Sequence, residues 1–225
     1  MSEEDTSLII TLAVIGGTGK EGSGLALRWA LQGYRVIIGS RSAERAQEHA
    51  QQLNERINSN VVLGMSNEAA AQQAEIIILS VPYSAHQCTL ETIKPYLTGK
   101  ILVDVTVPLQ PPAVRTVHIP EGKSAVLEAQ ALLGDDVQVV SAFQNVSAEK
   151  LKDPHADVGC DVLVCGDQAD AKEQVIKLVQ AAGMRGFDAG PLANSVAIEA
   201  LTPVLLYLNK AYKVKGAGIR ITNID

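Results

Sequence analysis

Three glycines at the spacing Gly17-x-Gly19-x-x-Gly22 follow directly on the apolar, β-branched run Leu12-Ala13-Val14-Ile15, and a helical pattern continues from Ser23 to Leu31. The chemistry such a turn can do is to bind a pyrophosphate. Gly17 permits the tight turn, Gly19 lets the backbone approach the phosphates, and Gly22 lets helix and strand pack closely, with the anion at the positive helix end. Thr18, Lys20 and Glu21 complete the loop.

The next candidate residues choose between two dinucleotides. In NAD-binding versions of this turn an acidic residue about 20 positions further on binds the ribose 2'-hydroxyl. Here the run Val36-Ile37-Ile38-Gly39 ends in Ser40-Arg41, with Arg45 one turn into the next helical segment. Arginine stacks on adenine and pairs with phosphate, and a serine hydroxyl donates to the same group. The expected cofactor is NADP.

Two further strand ends, Ser80-Val81-Pro82-Tyr83 and Asp104-Val105-Thr106-Val107-Pro108, fall where a nicotinamide ribose would reach. Tyr83 can pack on the cofactor and offer a hydroxyl. Asp104 and Thr106 read either as loop caps or as substrate contacts. The segment from Val140 to Leu151 carries small and amide residues in a row, so a flat ring could lie against its backbone.

These residues need a scaffold, and the hydropathy pattern supplies one. Strand-like runs at Leu8 to Ile15, Arg35 to Gly39, Val61 to Leu63, Glu75 to Val81, Lys100 to Val105 and Val137 to Ala142 alternate with helical segments at Lys20 to Gln32, Ala43 to Arg56, Asn67 to Gln73 and Ala85 to Tyr96. Such alternation requires crossover connections and hence an α/β fold with a Rossmann-like, doubly wound parallel sheet. The Pro-rich stretch Pro108 to Pro120 interrupts it before a short helix near Ser124 to Leu133. Then come a strand at Asp161 to Cys165, a helix at Gln168 to Ala182, a strand at Arg185 to Asp188 and a long helix at Ser195 to Tyr212. Pro203 is expected to bend that last helix. The expected division is 1–140 for an NADP-binding Rossmann domain and 141–225 for a small α/β C-terminal domain.

The 225 residues are 47% hydrophobic with a net charge of -6. The few basic residues are dispersed, which argues against nucleic acid. No apolar run approaches the roughly 18 residues of a membrane span, and Met1 to Asp5 is acidic where a secretory signal is basic. A cytoplasmic protein is expected, with residues 1–7 a disordered tail and Cys88, Cys160 and Cys165 reduced. The four histidines and the cysteines form no ligand pattern, so no metal is expected.

Taken together, Gly16 to Gly22, Gly39-Ser40-Arg41, Val81-Pro82-Tyr83, the turn Asp188-Ala189-Gly190-Pro191-Leu192-Ala193-Asn194-Ser195 and Glu199-Ala200-Leu201-Thr202-Pro203 resemble the NADPH-dependent coenzyme F420 reductases, or F420H2:NADP oxidoreductases, from about residue 10 to residue 219. The resemblance implies a homodimer in which NADP lies on the N-terminal domain and the deazaflavin F420 in a cleft beside the C-terminal one. Hydride would pass from nicotinamide to deazaflavin between two stacked, positioned rings, with no catalytic acid or base required. By the same resemblance Thr18, Gly19, Lys20 and Glu21 hold the pyrophosphate, and Ser40, Arg41 and Arg45 the 2'-phosphate. Val81, Pro82, Tyr83, Gln87 and Ala148 would follow the nicotinamide half, and Gln144, Val146, Ala200 and Ala217 would wall the deazaflavin.

The chain departs from the archaeal pattern at that wall, where histidine, isoleucine, serine and a larger apolar residue are expected in place of Gln144, Val146, Ala200 and Ala217. The Asn145-x-Ser147-Ala148 neighbourhood is also similar to the cytosolic domain of six-transmembrane metalloreductases, which pass hydride from NADPH to a flavin. An NADPH-dependent flavin (FMN or FAD) or ferric reductase, and a non-catalytic NADP sensor, are therefore the rival readings.

Overall fold

The structure is a computed structural model that describes residues 10–224. The expected tail, 1–7, and the first residues of the Leu8 to Ile15 run lie outside the described residues.

Strand β1 (Thr11–Ile15) leads into α1 (Lys20–Leu31), and the same alternation runs through β2 (Arg35–Ser40), α2 (Ala43–Ile57), β3 (Val62–Ser66), α3 (Asn67–Gln73), β4 (Ile76–Leu79), α4 (Tyr83–Ile93) and β5 (Ile101–Asp104). After the Pro-rich loop come α5 (Ala125–Leu133), β6 (Gln138–Ser141), the short α6 (Ala148–Leu151), β7 (Asp161–Gly166), α7 (Ala169–Ala181), β8 (Arg185–Asp188) and α8 (Ser195–Ala211). Helix starts follow local chemistry: Ser42, Ser66 and Ser124 each accept an amide as N-caps of α2, α3 and α5. Helix α8 continues through Pro203.

One eight-stranded sheet results, in the order β3-β2-β1-β4-β5-β6-β7-β8. The first six strands are parallel, as a doubly wound fold requires, and β7 joins β6 antiparallel. The unit β7-α7-β8 then closes with a parallel pair. Residues 140 and 141 both lie in β6, so the C-terminal third carries on the sheet that the N-terminal part begins.

The inner strands of the parallel part are buried on both faces and read as continuous apolar runs such as Ile76-Ile77-Ile78-Leu79, while the edge strand β3 is only partly covered. One core cluster holds Trp29, Val14, Ile38 and Phe143, and the other Ala13, Ile37, Ile77 and Val139. Because β1 connects outward to β2 while β4 lies on its other side, the strand order reverses between β1 and β4. The crevice at their carboxyl ends is where such sheets bind ligands.

Two polar anchors hold the C-terminal third against this crevice. Arg28, only 4% exposed, donates from α1 to the carbonyls of Asp153 (2.6 Å), Ala156 (2.9 Å) and Ala182 (2.8 Å). The buried Asp161 takes a bidentate pair from Arg185 and the amide of Ile221, which fastens the segment after α8 onto β7.

Candidate functional site

At the end of β1 the chain turns at Gly16, whose φ of +77° favours glycine and whose Cβ would overlap the carbonyl of Ser80 at the end of β4. The amide of Gly16 donates to the carbonyl of Gly39 (3.1 Å) and that of Gly19 to Gly16 (2.9 Å), which closes the loop. Helix α1 then opens with no side-chain cap. The amides of Lys20, Glu21 and Gly22 thus have no carbonyl one turn back within the helix and point their donors out of its end. A Cβ on Gly19 would meet only the Gly16 carbonyl, at 3.2 Å, so the other flank of that residue is open. Unpaired donors, an open glycine and the helix dipole fit a pyrophosphate.

The basic corner lies at the end of β2. Ser40 is largely buried and its hydroxyl accepts the amide of Ser42 (3.3 Å). Arg41 and Arg45 are exposed, and neither forms an ion pair within the described residues. Glu44 stands beside them but its carboxylate is taken up by the Ser42 hydroxyl at 2.8 Å. Two unneutralised guanidinium groups at one strand end suit a phosphate monoester.

From the glycine turn two clefts, of about 460 and 440 Å³, open side by side and share Glu21, Leu109, Gln144, Val146 and Thr202. The first takes Gly19, Lys20, Val81, Pro82 and Tyr83 into its wall, together with Thr106 and Val107 beyond β5. The second is walled by Ala148 and Glu149, by Leu205, Leu206 and Asn209 of α8, and by Val214 to Ala217. Most of the residues expected from the sequence therefore converge here, from positions as far apart as Gly19 and Ala217.

Others stand elsewhere. Thr18, Ser40, Arg41 and Arg45 are absent from both cleft walls and belong to the turn and the basic corner. Gln87 lines neither cleft but a neighbouring cavity, shared with Tyr83, His86 and Glu128, and its amide is bonded to Glu91 (2.9 Å). Ala200 lines neither cleft; α8 presents Thr202 instead, and residues two apart on a helix point about 200° apart.

Thr202 and Leu109 escaped the sequence reading, as did Lys215. Thr202 is within the quoted run Glu199 to Pro203, and its hydroxyl donates to the carbonyl of Gln144 at 2.6 Å. The Gln144 side chain in turn donates its amide to the Asp104 carbonyl (2.8 Å), and its own oxygen is buried without a partner among the described residues. Just before it, Phe143 sits at φ +73°, buried edge-to-face against Trp29 at 5.9 Å. A non-glycine residue held in that region is strained, which the tight packing of its ring maintains.

Beneath the first cleft lies a set of ionisable groups. The Tyr83 hydroxyl donates to Glu128 (2.9 Å), and burial together with that carboxylate pushes it up to about 12. His86 is bonded at 2.6 Å to Asp104, whose other oxygen accepts the amide of Thr106 (2.9 Å). Burial alone would lower the imidazole, but the Asp104 carboxylate outweighs it and the net shift is upward. Glu199 reaches from α8 to accept the amides of Ala125 (2.8 Å) and Val126 (3.1 Å) at the start of α5, and burial raises its carboxyl to about 8 despite those bonds. Burial likewise raises Glu21 to about 8.

Comparison with known proteins gives a consistent result. Residues 11–108 match the family model described as NADP oxidoreductase, coenzyme F420-dependent. The chain is 42% identical over 220 residues to the F420-dependent NADP reductase of Methanothermobacter marburgensis, covering 95% of this chain and 98% of that one. It is also 42% identical over 223 residues to the protein of the same name from Methanocaldococcus jannaschii, covering 95% and 99%. It is 31% identical over 190 residues to the metalloreductase STEAP3 of Rattus norvegicus, with 84% of this chain but 36% of that protein covered. A solved structure from Arthrobacter sp. FB24, described as a candidate F420-dependent NADP reductase, superposes with a TM-score of 0.80 at 24% identity over 95% of this chain and all of that one.

Proposed function

The chain belongs to the family of coenzyme F420-dependent NADP reductases, and from that premise we infer that it is an oxidoreductase passing hydride between NADP(H) and coenzyme F420. The observation that carries this reading is the pair of clefts sharing one wall at the reversal point of the sheet. One abuts a pyrophosphate cradle, and the other lies beyond it with a wall drawn from the C-terminal third.

In this reading residues up to 140 hold the nucleotide and residues 141–225 wall the deazaflavin. The nicotinamide carries the hydride on C4 and the deazaflavin receives it on C5. The free amides opening α1 bind the pyrophosphate, while Arg41, Arg45 and Ser40 bind the 2'-phosphate. Val81, Pro82 and Tyr83 support the nicotinamide side. Gln144 and Val146, placed on the shared wall, lie against both rings, and Ala148 and Ala217 leave room for the second. Thr202, bonded to the Gln144 carbonyl, fixes the shared wall. Holding two reactants at reacting distance can lower the barrier by up to about 7 to 11 kcal/mol in such a site.

We place the protein in the cytoplasm as a homodimer, without nucleic-acid or membrane partners. Its charge of -6 and dispersed basic residues support the first exclusion. Contrary to the expectation that no apolar run approaches a membrane span, the helical stretch Leu192–Ala211 is long and apolar enough to span one by length and composition, with a third of it buried. That helix caps α5 through Glu199 and walls a cleft through Leu205, so we read it as a packed element. Its exposed Val204 and Tyr207 are then available to a second copy.

The test is to follow NADPH oxidation with F420, FMN and FAD as acceptors in parallel. F420 should be reduced fastest, with slower turnover of the flavins, because a site that merely has spare room discriminates weakly against added bulk. Efficient reduction of a flavin with no reaction of F420 would overturn the reading.

A further inference from the structure

The two clefts meet at Glu21. It is in the first turn of α1, is only half-buried, and lines both walls. The other ionisable residues of the first cleft are Lys20 and Tyr83, and those of the second are Glu149 and Lys215. Each of these either serves one cleft only or is already engaged. Lys20 pairs with Glu149 at 3.4 Å, Glu149 also pairs with Lys152 at 2.6 Å, and the Tyr83 hydroxyl is bonded to Glu128. The Glu21 carboxyl accepts no hydrogen bond from the described residues, although it stands among the free amides of a helix end.

The reaction of the preceding section, on which this inference rests, moves more than a hydride. When C4 of the nicotinamide gives hydride to C5 of the deazaflavin, N1 of the deazaflavin must gain a proton. NADPH, F420 and one proton give NADP+ and the reduced deazaflavin. In the reverse direction the proton must leave as the hydride does. A group serving this exchange must reach the deazaflavin beside the point where the two rings meet and must hold a proton near neutral pH.

We propose that Glu21 is the residue that exchanges this proton, giving it to the deazaflavin as hydride arrives and taking it back in the reverse direction. Burial around the carboxyl, on a residue that keeps part of its surface exposed, favours its protonated form and pushes it up to about 8, the range in which a general acid is useful. A bound pyrophosphate raises it further, since two anions at one helix end repel each other. NADP+ binding and proton uptake by Glu21 are therefore coupled, and the cofactor arrives with its own acid loaded. Lys20 and Lys215 oppose this effect from the two cleft walls, and Glu149 reinforces it.

The variant is Glu21→Gln, which keeps the shape and removes the titration. Calorimetric titration of the intact protein with NADP+ at about pH 8, where the 2'-phosphate with its second pKa near 6 is fully ionised, is run in two buffers of different ionisation enthalpy. The wild type should take up a fraction of a proton per NADP+ bound, and E21Q should take up none. In turnover, E21Q should reduce F420 about 100-fold more slowly and lose the fall in kcat that the wild type shows as pH rises, with NADP+ affinity retained or improved. Unchanged melting would exclude misfolding. Equal proton uptake by both proteins, or an unchanged kcat profile in E21Q, overturns the proposal. A wild type that fails with F420 sinks the functional reading beneath it, and the proton count separates the two failures because it uses NADP+ alone.

Discussion

Tyr83 gives its hydroxyl to Glu128, 45 residues further along the chain, at 2.9 Å. The polar handle that the sequence offers to the nicotinamide is thus turned to a carboxylate of α5, and the ring is left as an apolar support beside the tilted imidazole of His86, 6.1 Å away. Tyr83→Phe should therefore retain most of its kcat and raise KM for NADPH only a few-fold. The lost bond should cost about 1 kcal/mol in stability, the usual net worth of one hydrogen bond. A 100-fold loss of kcat in steady-state assays would show that the hydroxyl acts on the substrate.

Cofactor choice should depend on the exposed arginines at the end of β2. Arg41→Ala removes a charge-assisted bond worth about 1.5 to 3 kcal/mol, so NADPH affinity should fall by roughly 10- to 100-fold while NADH affinity stays nearly constant. Fluorescence titration with both nucleotides tests this, and equal affinities in the unmodified protein would remove the pocket assignment.

Two glycines three positions apart should fail in different ways. Gly16→Ala places a Cβ against the Ser80 carbonyl at a positive φ, so the protein should lose stability by roughly 1 to 3 kcal/mol. Gly19→Val projects into the open flank of the loop, so it should melt near the wild-type temperature and bind no NADPH. Retention of NADPH affinity by Gly19→Val, measured alongside the melt, would refute the phosphate loop.

Glu199 gives the stability a pH dependence with a definite sign. Its folded carboxyl is raised to about 8 from an ordinary 4.5. Between those values the folded state binds more protons than the unfolded one, so the contribution is complete at low pH and is lost as pH rises towards 8. Glu199→Gln should flatten this part of the curve, at the cost of a weaker cap on α5. Denaturant unfolding at intervals between about pH 5 and pH 8 reads the difference, and parallel curves for the two proteins would contradict the assignment.

Much of the nucleotide half is legible in the sequence because its chemistry is local. The run Leu12 to Ile15, the turn at Gly16 to Gly19 and the start of α1 are adjacent in the chain, and their backbone geometry follows from residue type alone. Ser40-Arg41 belongs with them because a parallel strand next to β1 must end level with it. The alternation of strands and helices fixes the doubly wound class by the same periodic logic.

The second cleft was decided in three dimensions. Gln144, Ala148, Thr202 and Ala217 meet because β7 turns antiparallel to β6 and brings α8 and the segment after it back over the crevice, and no spacing in the chain encodes that return. The face of α8 that looks into the cleft depends on helix phase, which is why Thr202 is in the wall and Ala200 is not. Glu21 reads in the sequence as one more loop residue. Its partly desolvated carboxyl at the seam of two clefts exists only once α6 and α8 wall the second cleft beside the start of α1, because desolvation is a property of the surroundings and not of the residue.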